Sequence, residues 1–351
     1  MSEPVIAATA TAVPDFVVTR DVVKTYFGQV FPLEGARLDA MMAVVDNSAI
    51  RQRFCILPVD ELIRPRSLEK ISQQYQEHAI RLGRRVATEC LERAGMRPEE
   101  IDLIITVSCT GVMIPSLDAH LVNAMGFRSN VRRLPITELG CAAGAAAIAR
   151  GRDFLLAFPE GRVLIVAVEL ASLTFQRGSL TQANLISSIL FGDGAAAAVM
   201  TAQSAPGPRV VDAECYLFPE SIDAMGFDLK ETGFHIALSR DVPDMIRGRI
   251  RHLVGCFLAR HGLAPEGIDA FVLHPGGRKL LAAIEEELAL PRDRTQPSWD
   301  VLGEYGNLSS ASVLFVLHDW LTKRRPAPGA LGLMTAFGPG FTAEQILLRW
   351  A

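Results

Sequence analysis

Three residues of this chain have side chains and neighbours suited to covalent acyl chemistry. Cys141, in ELGCAAG, follows Gly140 at the expected first turn of a helix, where free N–H groups and the helix dipole favour a thiolate. Ala142, Ala143 and Gly144 let that helix pack deep in the protein, so a nucleophile there would be reached through a tunnel. His274 ends the apolar run IDAFVL and begins HPGG, which puts its imidazole at the carboxyl edge of a strand, where open α/β sheets bind ligands. Asn307, in EYGNLSS, opens a second helix after Gly306, and its amide can donate to a developing oxyanion. Each also has a plain structural explanation: a small core thiol, a polar strand end, a helix N-cap.

An internal repeat favours the chemical explanation. LERAGMRPEEIDLII, from Leu91, matches LARHGLAPEGIDAFV, from Leu258, at an offset of 167, and ELGCAAG answers EYGNLSS at 166. GRVLIVAVEL and GALGLMTAFG form a weaker third echo. Each half therefore reads as an amphipathic helix stopped at Gly95 or Gly262, a Pro-containing turn, a short apolar strand, and a helix opening after Gly140 or Gly306. Alternating strands and helices indicate an α/β layered fold. Duplication faces the two halves across a pseudo-twofold axis, where Cys141 and Asn307 should meet. The halves are read as 1–203, carrying the cysteine, and 204–351, carrying His274 and Asn307. The stretch from about Gln203 to Asp241 reads as an irregular connection with a binding role.

Three further positions fit a cavity. AFGPGF, with Gly338 and Pro339, suits a cavity wall, and Phe191 before the Gly-Asp-Gly of LFGDGAAAA could narrow a tunnel. Gly276 and Gly277 permit close backbone approach to a ligand.

Composition narrows the class. The 351 residues are 49% hydrophobic, enough for a large core, and the net charge of −4 with scattered basic residues argues against nucleic-acid binding. No segment reads as a signal peptide or membrane span, so a cytoplasmic protein is expected. The six cysteines form no CxxC pair, and no HExxH, P-loop or dinucleotide fingerprint occurs, so neither metal nor bound cofactor is expected.

ELGCAAG, LFGDGAA, HPGG, EYGNLSSA and AFGPGFT together resemble the type III polyketide synthases, the chalcone synthase superfamily, along almost the whole chain. The resemblance implies a thiolase-like five-layer α-β-α-β-α fold with two duplicated halves, acting as a homodimer on acyl-CoA and malonyl-CoA substrates. It implies a thioester on Cys141, a thiolate held by His274, and an enolate from malonyl-CoA stabilised by His274 and Asn307. It further implies Phe191 and Phe234 as gatekeeping phenylalanines, Thr174 and Ser309 in the cavity, Arg51 and Arg53 near the CoA phosphates, and Ile114 reaching into a partner subunit's cavity. SCTGVMIPS and Ala171 resemble the bacterial branch, which leads to the expectation of an aliphatic acyl-CoA starter extended to an alkylpyrone or alkylresorcinol. Naphthalene-forming relatives carry cysteine where Thr174 stands, which counts against that product. KETGFH and AFGPGFTAE also resemble phloroglucinol-forming enzymes that use malonyl-CoA alone.

Three rivals remain at this point. A ketoacyl synthase of fatty-acid initiation shares Cys, His and Asn but would need a basic surface for its carrier protein. A papain-like protease has the same residue order but a different context around its cysteine. A non-catalytic scaffold would be expected to have lost one of the three groups.

Overall fold

The computed structural model describes residues 3–351. Its strands are β1 (Val5–Ala12), β2 (Phe16–Thr19), β3 (Gln52–Cys55), β4 (Leu103–Val107), β5 (Arg132–Ile136), β6 (Arg162–Leu170) and β7 (Asp193–Thr201). They continue as β8 (Pro208–Leu217), β9 (Met225–Lys230), β10 (Gly233–Leu238), β11 (Ala270–Leu273), β12 (Leu331–Gly338) and β13 (Thr342–Trp350). Nine of them form one sheet in the order β11-β12-β13-β8-β1-β7-β6-β4-β5.

The duplication is visible in that order. β4 and β6 run parallel, then β7 and β1 antiparallel; β11 and β12 run parallel, then β13 and β8 antiparallel. The two sets join through the pairing of Val5 with Arg209. The repeated strands IDLIITV and IDAFVL are thus β4 and β11, in equivalent places.

Strand alternation sorts the chain into layers. Along β6, Val163, Ile165 and Ala167 join a central cluster while Leu164, Val166 and Val168 pack outward. β12 does likewise, with Met334 and Ala336 facing the centre and Leu333 and Phe337 facing out. The centre is filled by two helices, Ala143–Ala157 and Ser312–Asp319, each entered through a 3-10 turn. The long helix Leu68–Ala94 covers one outer face, and the helices Ile250–Ala259 and Arg278–Leu288 cover the other. The result is the expected helix, sheet, helix, sheet, helix stack, and strands buried on both faces explain the unbroken apolar runs.

Local signals set the ends. Ser67 caps the long helix by accepting from the Lys70 amide at 3.2 Å, and Gly95 closes it with φ +64. No helix among the described residues is long and apolar enough to cross a membrane.

The segment from Gln203 to Asp241 departs from expectation. Pro208–Leu217 is β8, a sheet strand paired with β13, and β9 and β10 form a hairpin. β8 is only half-buried, so PRVVDAECYL lacks the apolar run that marks a central strand in sequence.

Candidate active site

Cys141 lies in the 3-10 turn Gly140–Ala142 that leads into the helix Ala143–Ala157. The turn is shaped by close backbone approaches that only glycine allows. Gly140 has φ +48, and a Cβ there would lie 2.6 Å from Pro339. A Cβ on Gly338 would sit 2.3 Å from the Leu139 carbonyl oxygen. The AFGPGF loop thus braces the Cys141 turn: Pro339 reaches the cavity wall, while Gly338 packs behind it.

The counterpart turn carries Asn307 and Ser309. Asn307 bridges to Phe191, donating its backbone amide to the Leu190 carbonyl at 2.9 Å and accepting from the Gly192 amide at 3.0 Å. Its side chain is used at both ends. Oδ1 accepts from the Ser309 amide at 2.8 Å, an Asx turn ahead of the 3-10 turn whose N-cap residue is Leu308, so Asn307 is not itself the N-cap. Nδ2 donates to the Gly276 carbonyl at 3.3 Å, a long bond that leaves the amide available to a better acceptor. Ser309, held at φ +49, sets its hydroxyl 3.5 Å from the Cys141 sulfur.

His274 follows β11, its amide donating to the Thr335 carbonyl at 2.9 Å. The imidazole is 2% exposed and its Nδ1 has no partner. Burial lowers its pKa to about 3, so the ring is neutral. Gly276 packs against it: a Cβ there would lie 3.3 Å from Nε2. Cys141, Ser309, Asn307, Gly276 and His274 are therefore linked in sequence, although no hydrogen bond joins the thiol to the imidazole. Burial also pushes the Cys141 thiol up to about 12, against lowering by Ser309 and Asn307. Burial thus disfavours the charged form of both groups, the thiolate as well as the imidazolium.

Two further residues belong to the site and were missed in the sequence. Cys109 follows β4 much as His274 follows β11, and its sulfur lies 3.3 Å from the Ser309 hydroxyl. Glu169, near the end of β6, is fully buried; its carboxylate accepts from Ser310 Oγ, from Thr110 Oγ1 at 2.8 Å and from the Cys109 amide at 3.2 Å. Burial raises the pKa of Glu169. A lone carboxylate inside RVLIVAVEL was the available signal, since a buried charge needs a reason.

A largely apolar cavity of about 1210 Å³, counting the open solvent at its mouth, begins at Cys141. Thr174, Phe191, Ser309 and Pro339 line it, as expected. Val22, Phe27, Val30 and Leu62 extend it beneath the N-terminal helices. The β9–β10 hairpin contributes Met225, Phe227 and Ile236. Phe234 does not line the cavity wall; it shares the hairpin face of Phe227 and Ile236 but lies nearer the hairpin turn, packing edge-on against Phe227, which takes the wall position. Ile114 is 93% exposed and touches no part of this cavity. Gly276 and Gly277 lie outside the wall as well, Gly276 serving the His274–Asn307 contact.

The two arginines separate. Arg51 is exposed and paired with Glu304, whereas Arg53 is buried and lines the cavity, so they do not form a single phosphate site.

The sequence matches the family model for chalcone and stilbene synthases, N-terminal domain, over residues 2–204 and the C-terminal domain over residues 209–351. Among curated proteins it is 37% identical to 1,3,6,8-tetrahydroxynaphthalene synthase of Streptomyces peucetius subsp. caesius, over 98% of this chain and 93% of that protein. It is 35% identical to phloroglucinol synthase of Pseudomonas fluorescens, over 90% of each. Among solved structures, 1,3,6,8-tetrahydroxynaphthalene synthase of Streptomyces coelicolor superposes with a TM-score of 0.95 at 34% identity, covering 99% of both chains. PKS-I of the brown alga Ectocarpus siliculosus gives 0.94 at 28% identity, covering 100% of this chain and 99% of that one.

Proposed function

The chain belongs to the chalcone and stilbene synthase family and is a type III polyketide synthase, and from that premise we propose how its own residues carry the condensation. Cys141 takes an acyl group from a CoA thioester: sulfur attacks the carbonyl, the thiol proton passes to His274, and CoA leaves as its thiol. Malonyl-CoA then enters and loses carbon dioxide. Asn307 Nδ2 and the N–H of the neutral His274 ring stabilise the enolate oxygen, and the enolate carbon attacks the Cys141 thioester in a Claisen condensation that releases the Cys141 sulfur as thiolate. The observation that carries this reading is the linked series Cys141, Ser309, Asn307, Gly276 and His274 at the base of a largely apolar cavity.

Neutral resting groups fit this scheme. A thiol and imidazole that burial keeps uncharged await a substrate whose developing charges make proton transfer favourable, and the apolar walls exclude the water that would hydrolyse the thioester. Phe191, on the strand bridge to Asn307, gates the passage between CoA and cavity, and the strongly exposed Ile114 serves a homodimer contact.

The apolar arm beneath the N-terminal helices favours an aliphatic starter and an alkylpyrone or alkylresorcinol product. A second reading, malonyl-CoA as sole substrate, is favoured by relatives whose named products, tetrahydroxynaphthalene and phloroglucinol, are polyphenols without an alkyl tail. Incubation with malonyl-CoA, with and without acyl-CoAs of graded length, followed by mass spectrometry, separates them. Products retaining the starter chain are expected for the first reading, and tail-less polyphenols regardless of added starter would overturn it. No condensation from malonyl-CoA, but activity with malonyl-carrier protein, would overturn the proposed malonyl-CoA substrate.

A further inference from the structure

Arg53 is a buried cation whose Nε and Nη1 have no hydrogen-bond partner. It lies on β3 opposite Val18 of β2, and its stem packs on the backbone that carries Phe191 and Asn307: a Cβ on Gly192 would lie 3.0 Å from Arg53 Cβ, and one on Gly306 3.6 Å. The side chain is 9% exposed, and Nε and Nη1 are both buried without a hydrogen-bond acceptor. Guanidinium stays protonated under any ordinary condition, so the group cannot escape burial by neutralising.

The groups facing it do not satisfy it. Asp193 and Cys55 are the titratable side chains that act on it. Asp193 gives long-range attraction but no hydrogen bond, because its oxygens already accept from the Ile56 amide at 2.9 Å, the Ser172 amide at 2.7 Å and the Ser172 hydroxyl. Cys55 is buried and its thiol pKa is raised, which leaves it uncharged. What Arg53 does face is the cavity that begins at Cys141.

We propose that Arg53 holds the carboxylate of an acyl group seated in this cavity, so that the preferred starters are acyl thioesters ending in a carboxylate, of which malonyl is the shortest with a methylene between its two ends. A carboxylate offers two acceptors in the fork geometry of guanidinium, and apolar walls suit the methylenes between it and the thioester. A diphosphate fits worse: it needs several donors, and Arg20, which lines an adjoining recess with Arg53, already donates to the Ile50 carbonyl at 3.0 and 3.3 Å. The proposal rests on the reading that Cys141 carries the acyl chain here, and it unites the two starters weighed above by asking for both an apolar body and an anionic end.

Two six-carbon starters, hexanedioyl-CoA and hexanoyl-CoA, test it, each supplied with malonyl-CoA. Arg53→Met is expected to lower the ratio of kcat/KM for hexanedioyl-CoA to that for hexanoyl-CoA by roughly 10- to 100-fold, the scale of a hydrogen bond to a charged group. Arg53→Lys should restore part of that ratio, and an unchanged ratio in Arg53→Met overturns the proposal. A second measurement needs neither a variant nor turnover: free hexanedioate should protect wild-type Cys141 from iodoacetamide at least 10-fold more effectively than hexanoate. Equal protection overturns the proposal even if condensation is efficient. Preferential protection without any condensation upholds the Arg53 site and refutes the synthase mechanism instead.

Discussion

Gly144→Ala tests whether the two halves must approach as closely as they do. Gly144 is the second residue of the helix that follows Cys141, about one turn beyond the sulfur, and a Cβ there would fall 2.2 Å from the Ser310 backbone oxygen and 3.0 Å from Val313. A carbon and an oxygen in contact need about 3.3 Å, so the turn bearing Cys141 and the turn bearing Asn307 and Ser309 must part by about 1 Å. Such a misplacement at a catalytic centre costs on the order of 10²-fold in rate. Stability should change little. Overpacking costs about 1–3 kcal/mol, and alanine returns about 1 kcal/mol over glycine within a helix. With an unfolding entropy of about 0.7 kcal/mol/K for 351 residues, the net loss lowers Tm by less than about 3 °C. The assay is product formation from malonyl-CoA alongside a thermal melt, with Gly255→Ala as control, since nothing lies within 4 Å of a Cβ at that helical position. A Gly144→Ala protein with turnover within 3-fold of wild type and an intact melt would refute the requirement for close approach.

Three other outcomes follow from the same geometry. Because burial pushes the Cys141 thiol up to about 12, iodoacetamide labelling of the free enzyme should speed up about 10-fold per pH unit from about pH 7 to 10. A plateau from neutrality upward would mark a resting thiolate paired with protonated His274 instead. Asn307→Asp keeps the acceptor for the Ser309 amide but removes the Nδ2 donor, so malonyl-CoA decarboxylation should fall about 10²- to 10³-fold with the melt preserved; undiminished decarboxylation contradicts the donor role. His274 has a native pKa of about 3 against about 6.5 unfolded. Between those values the unfolded chain binds more protons, so stability is full above about pH 6.5 and is lost as pH falls toward 3. His274→Asn should therefore reduce the difference in urea midpoint between pH 4 and pH 7, and an unaltered difference would show that His274 does not contribute to the acid limb.

Much of this site was legible in the residue order. The repeat at an offset of 166 to 167 placed β4 opposite β11 and Cys141 opposite Asn307, because a duplicated chain folds twice along the same hydrophobic pattern and its corners meet at the axis. Short apolar runs and glycine stops identified β6, β12 and the ends of the covering helices for the same reason: periodicity and chain reversal are local properties. The glycines of GCAAG and FGPGF could be noticed as unusual, but which atoms they admit, Ser310 O or Leu139 O, could not.

Properties that depend on neighbours distant in sequence were decided only by tertiary structure. Phe227 rather than Phe234 lines the cavity because Phe234 lies nearer the hairpin turn, and β8 joined the sheet through partners more than 100 residues away. Cys109 and Glu169 became part of the site only when the loop after β4 met the turn at Ser309 and Ser310. Arg51 and Arg53, two residues apart in the sequence, diverged most: one is solvated and paired, the other buried and unpaired. Charge is written in the sequence, but the solvation that gives it consequence belongs to the folded surroundings, and those were set by packing from both halves of the chain.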